Sequence, residues 1–137
     1  MSKYTLDDVA EALYPHWPKY EDGSIDTRQC WANADIQKGW ADPLIYGIRI
    51  GVDVDPHFVV HQVKEKFGGL RFYATLPHET ETMIESLVIN ICEQCGEVGT
   101  LSMTDGKYPW YKTLCEDCRG DKYIDKWAWD VKYGSEE

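Results

Sequence analysis

The segments Cys92-Glu93-Gln94-Cys95-Gly96 and Leu114-Cys115-Glu116-Asp117-Cys118 decide how the rest of this chain is read. Two Cys-x-x-Cys pairs separated by 19 residues gather four soft thiolates, the pattern by which a chain supplies a tetrahedral shell for one zinc ion. Four protein ligands leave no open coordination position, so an ion held by Cys92, Cys95, Cys115 and Cys118 is expected to be structural. The fifth cysteine, Cys30, stands alone and reads as a small half-buried thiol. The opening Met1-Ser2-Lys3-Tyr4 run lacks a basic-then-apolar leader pattern, and no stretch approaches the length of a membrane span. A cytoplasmic chain is therefore expected, where reduced thiols favour metal over disulfides.

Gly96 suits a tight knuckle in which backbone N–H groups point at sulfur. Val98–Met103 and Tyr108–Thr113, on either side of Asp105-Gly106, predict a hairpin. From Glu116 to Tyr133, Ile124, Trp127, Ala128 and Val131 recur on one helical face, predicting a closing helix that carries the second cysteine pair at its start and packs through Trp127. A helix N-terminus stabilises thiolate charge. Knuckle, hairpin and ligand-bearing helix together resemble a treble-clef zinc finger over about Cys92 to Val131, which implies a structural metal.

A second hairpin is predicted over residues 58–75. Gly68-Gly69 tolerate positive φ and read as the two central turn residues, so that Phe67 faces Leu70 and Lys64 faces Tyr73. Val63, Phe67, Leu70 and Phe72 then pack, while Gln62, Lys64, Lys66, Arg71 and Tyr73 look outward. Upstream, Leu6, Val9, Ala10 and Leu13 predict a helix from Thr5 to Tyr14, ended by Pro15 and Pro18. Residues 20–33 read as an irregular acidic loop. Asp42-Pro43 read as cap and first turn of a helix ending near Gly51. Thr80, Met83, Ile84, Leu87, Val88 and Ile91 predict a helix running up to Cys92, and Gly134 to Glu137 reads as a frayed end. The expected fold is α+β: N-terminal helices, a central antiparallel hairpin or small sheet, and a C-terminal treble-clef-like zinc finger. The division is residues 1–78 and 79–137, joined as one compact unit.

The chain carries 24 acidic and 14 basic residues, a formal charge of -10. Residues 61–76 invert that sign at +2, against -5 before them and -7 after. Lys64, Lys66, Arg71 and Tyr73 are thus the candidate partner-binding face. The run Gln62 to Tyr73, preceded by Gly39-Trp40 and followed by Cys-x-x-Cys-Gly and Leu-Cys-x-x-Cys, resembles a family of small proteins of bacteria and their phages. The resemblance covers about Gly39 to Arg119 and implies a shared hairpin and zinc module, with no activity to carry over.

The functional expectation is a zinc-stabilised acidic module that binds a host or phage protein, as a phage-borne modulator or inhibitor of a nucleic-acid-handling or defence complex. Six Trp and nine Tyr supply interface anchors, and carboxylates can stand where phosphates would lie. A nucleic-acid-binding zinc finger is the first alternative, opposed by the net charge. A small metal-dependent hydrolase using His57, His61 and Glu65 is the second, although His57-Phe58-Val59-Val60-His61 lacks the glutamate of a zincin helix. No nucleophile and base stand in a recognisable motif, so catalysis is not expected.

Overall fold

The computed structural model describes residues 3–134 and is mixed α+β, with five helices and two three-stranded sheets. Helix α1 (Leu6–Leu13) starts as its sequence predicts: the Thr5 hydroxyl accepts the Asp8 N–H and the Asp8 carboxylate accepts the Thr5 N–H. Such a reciprocal cap stabilises a helix by about 1 kcal/mol. Helix α2 (Ala41–Val54) runs a turn past Gly51. Asp42 does not cap it; its carboxylate accepts the N–H groups of Lys3 and Tyr4, tying the chain's start to the helix.

The first sheet has the order β1-β2-β3, from β1 (Ala34–Asp35), β2 (Val60–Lys66) and β3 (Gly69–Ala74). Strand β1 pairs parallel to β2 and closes a segment whose acidic composition reads only as loop. The β2–β3 hairpin forms, but its turn is one residue earlier than the glycines suggest. Lys66 pairs with Gly69 and Lys64 with Arg71, so Phe67 (φ 55°) and Gly68 (φ 80°) are the central residues. Positive φ at both centres is the type I′ pattern, whose twist matches that of the strands, and Phe67 accepts that conformation at a cost of order 1–3 kcal/mol. An extra residue at His61 bulges β2, which brings Val60 and Val63 to the same side, both fully buried.

Helix α3 (His78–Ser86) is shorter than its apolar spacing implies; Met83 is exposed, and a turn through Asn90 (φ 69°) delivers the chain to Cys92. Two glutamates of α3 cover the free edge of β3: Glu85 accepts the Phe72 N–H and Glu81 the Ala74 N–H. Trp40, Phe58, Phe72, Leu13, Leu44 and Ile84 are the heart of one apolar core between the helices and this sheet. His16 belongs to it, stacked on Phe58 at 3.9 Å and donating through Nδ1 to the Phe58 carbonyl.

The second sheet has the order β5-β4-β6, from β4 (Thr100–Thr104), β5 (Tyr111–Leu114) and β6 (Tyr123–Asp125). The closing helix predicted over 116–133 is absent. Helix α4 (Glu116–Arg119) is a single turn broken at Gly120 (φ 56°), β6 follows, then α5 (Lys126–Trp129) and a π-turn to Gly134. Trp127, expected to pack, is 75% exposed; Trp129 holds the hairpin instead, its indole N–H donating to Gly106 O. Of the end read as frayed, residues 135–137 lie outside the described residues. Among the described residues, no helix is long and apolar enough to cross a membrane.

Candidate metal centre

The first cysteine pair sits in a knuckle. Ile91 bridges Val98, the Cys92 N–H donates to Glu97 O, and the Gly96 N–H donates back to Cys92 O, with Gly96 at φ 86°. The second pair opens α4: Cys115 is its N-cap, and its sulfur accepts the Cys118 N–H at 3.4 Å. These two turns bring the sulfurs of Cys92, Cys95, Cys115 and Cys118 within 4.8 Å of one another.

That spacing fits one ion. With metal–sulfur bonds of about 2.3 Å, a tetrahedron has sulfur–sulfur edges of about 3.8 Å, and Cys95 Sγ and Cys115 Sγ lie 3.6 Å apart. All five cysteines are unbridged. Burial opposes ionisation of Cys92, but the N–H groups of Cys115, Cys95 and Gln94 outweigh it and bring that thiol down to about 7. Cys118 is pushed up by burial and by its three neighbouring sulfurs. At Cys95 the Glu97 N–H pulls the thiol down, and burial with the sulfurs of Cys115 and Cys92 overrides it upward. Four sulfurs this close cannot all carry charge without a cation among them.

Within the knuckle, Glu93 is fully buried. Its Oε2 accepts the Thr113 N–H at 2.8 Å, and its own N–H donates to Thr113 O. Its Oε1 faces Lys112 Nζ at 3.4 Å and accepts no hydrogen bond among the described residues. Burial holds the Glu93 carboxyl above the ordinary range, against the pull of Thr113 and Lys112. Lys112 also pairs with Glu65 at 3.1 Å; burial works against its charge, and the two carboxylates prevail, raising it. The Cys-x-x-Cys pattern treats Glu93 as a spacer and gives no sign of this role.

The same residues join the cluster to the rest of the molecule. Glu65 accepts the N–H of Gly68 in its own hairpin turn, and Gly68 O accepts the Thr113 hydroxyl at 2.7 Å. A Cβ on Gly68 would lie 2.7 Å from Leu101 Cδ1. On the other side the Gly39 N–H donates to Glu93 O at 2.7 Å, and the Trp40 indole to Ile91 O at 2.9 Å. The hairpin and the Gly39-Trp40 pair are therefore intramolecular docking elements for the sulfur-bearing segment.

Between that hairpin and the β4–β5 loop opens a cleft of about 770 Å³. Phe67, Tyr108 and Trp110, exposed at 64%, 87% and 77%, line it with Tyr111 and Trp129. Lys64, Lys66, Lys107 and Lys112 also line it, with Glu65 the single acid. Among the described residues, Lys112 alone of these lysines has carboxylate partners.

The face Lys64, Lys66, Arg71 and Tyr73 is divided. Lys64 and Lys66 border this cleft; Tyr73, opposite Gln62, borders another of about 380 Å³ with Arg28, Trp31 and His61. Arg71 lies between, in register with Lys64, which Asp35 flanks on its far side. His57, His61 and Glu65 do not assemble: His61 Nδ1 meets Gln29 O, Glu65 serves the turn and Lys112, and the four cysteines are the only cluster of metal-ligating side chains among the described residues. Cys30 is buried, its thiol facing Asp26 O and pushed up by burial. No protein-family model matches the chain, and neither a curated protein nor a solved structure matches it, so the sulfur cluster and the cleft carry the functional reading.

Proposed function

We propose that this chain is a zinc-stabilised module that binds another protein through the cleft beside its β2–β3 turn. Zinc is the ion whose chemistry suits four thiolates in a closed tetrahedral shell, held by Cys92, Cys95, Cys115 and Cys118. The knuckle, the β4–β5 hairpin and the Cys115–Cys118 turn then stand as a treble-clef-like arrangement with a shortened helix. The ion supplies rigidity and no reaction step. What carries the binding reading is the exposure of Phe67, Tyr108 and Trp110 around one cleft. Large rings left in water cost solvation free energy, and aromatic residues concentrate at protein interfaces.

Two measurements test the reading. Elemental analysis is expected to give one zinc per chain. A photo-crosslinking residue at Trp110 is expected to give one discrete protein adduct in cells, absent when the residue sits at Tyr46 on the exposed side of α2. Nucleic-acid adducts, or the same smear from both positions, would overturn it.

A further inference from the structure

We infer that the occupant of the cleft is a short acidic peptide segment carrying an aromatic or large aliphatic anchor. The inference rests on the binding reading above and names the chemistry of the partner. Lys64, Lys66 and Lys107 border the cleft without carboxylate partners among the described residues, in a chain whose net charge is -10. The carboxylates next along the chain are committed elsewhere, Glu65 to Lys112 and the Gly68 N–H. Asp105 holds Lys132 and the Tyr133 hydroxyl, and Asp130 holds Lys126. The three unpaired ammonium groups therefore present positive charge around the exposed rings of Phe67, Tyr108 and Trp110.

Phe67 adds an independent observation. Its backbone lies at φ 55°, where asparagine or glycine would be at ease, yet the position keeps a ring that is 64% exposed and meets Tyr111 edge-on at 5.7 Å. A strained residue retained at a cleft wall points to contact with a ligand. A peptide fits better than a nucleic-acid strand on two counts. The border is made of lysines, point charges suited to separate carboxylates, with no arginine fork for bidentate phosphate contacts. A long strand would also carry its phosphates across a molecule of net charge -10, whereas a short peptide ends inside the cleft.

The experiment titrates the zinc-loaded full chain with three fluorescent probes. These are a peptide of aspartates and glutamates around one phenylalanine, its Asn/Gln counterpart, and an oligothymidylate. The acidic peptide is expected to saturate and the Asn/Gln peptide to bind at least about tenfold more weakly, the factor that 1.4 kcal/mol of lost charge contact gives. Trp110→Ala and Lys66→Glu are expected to weaken the acidic peptide by a similar factor with the thermal midpoint unchanged. Phe67→Asn is expected to weaken it while holding or raising the midpoint, because the turn is relieved; that pairing separates contact from mere folding. Equal affinity for the two peptides, tighter binding of the oligothymidylate, or self-association of the free chain abolished by Trp110→Ala would each overturn the inference. If the acidic peptide fails while crosslinking at Trp110 still yields one protein, the peptide class falls and the protein-binding reading stands.

Discussion

The two halves of this molecule hold themselves together by different means. From Val9 to Val88 the buried residues form one apolar cluster in which Trp40, Phe58 and Phe72 are sealed from water. From Cys92 on, the buried positions among the described residues are Cys92, Glu93, Gly99, Ser102, Met103, Thr113 and Leu114, mostly polar or sulfur, while Trp110 and Trp127 stand in solvent. A segment with so little apolar burial needs another source of order. The four sulfurs, the Glu93–Lys112–Glu65 network and the Gly39 contact are what is present. Hydrophobic packing orders one half; the sulfur cluster and buried polar contacts order the other.

Removing the metal is the most severe way to break this comparison. Structural zinc sites supply on the order of 10 kcal/mol of apparent binding free energy. Chelation or Cys92→Ser is therefore expected to abolish amide protection across Thr100–Thr104 and Tyr111–Leu114, while Val60–Lys66 and α2 keep theirs, as read by hydrogen exchange. Loss of protection at equal rates in both halves would mean that they are not differently held. The reciprocal change is Phe72→Ala, which empties a fully buried ring site and is expected to cost about 3–5 kcal/mol. Here the helical signal should melt at lower urea, with metal content still one ion per folded chain.

Gly39→Ala tests the seam. Its Cβ would lie 2.2 Å from the backbone oxygen of Cys92 and 2.5 Å from that of Glu93, and a backbone cannot swing aside as a side-chain tip can. A cost of about 1–3 kcal/mol is expected. Unlike the first two changes it should register in both halves, lowering the urea midpoint and speeding metal transfer to a chelator. A variant slower to unfold and equally retentive of metal would show that the seam carries no load.

How much of this was legible in sequence follows the same division. Cys-x-x-Cys spacing announces the sulfur cluster because ligand geometry is local, and the Thr5 cap with its apolar stripe announces α1. The β2–β3 turn falls one residue from where the glycines point because two adjacent glycines hide which pair bends, and the contact that Gly68 O makes with Thr113 is 45 residues away. The closing helix failed for a similar reason. Ile124 and Val131 satisfy a helical period, but Gly120 breaks the chain and β4 offers a pairing edge to β6. The cleft was half legible: Lys64 and Lys66 are visible as a charge inversion, whereas Lys107, Tyr108 and Trp110 come from a loop that only the docking of the sheets brings alongside.

The smallest expected effect concerns Asp26, which lies in the acidic loop of the apolar half and is nearly sealed from water. The Arg28 guanidinium and then the Gln29 amide hold its carboxyl far below the ordinary range, with the Arg28 N–H adding to them. A carboxyl whose folded value is depressed contributes stability in full above its unfolded value, and that contribution drains away as pH falls below about 4. Arg28 is three-quarters exposed, so solvent weakens the pair and the effect is small. Acid also strips metal from thiolates, so the wild-type curve alone mixes two causes. Asp26→Asn separates them, because it leaves the sulfurs untouched. The wild type is expected to exceed the variant in urea midpoint at neutral pH, with the gap closing as acid protonates Asp26. A gap that stays constant into acid would locate the contribution in the packing of the loop and not in its charge, and the apolar half would then owe nothing to electrostatics at this site.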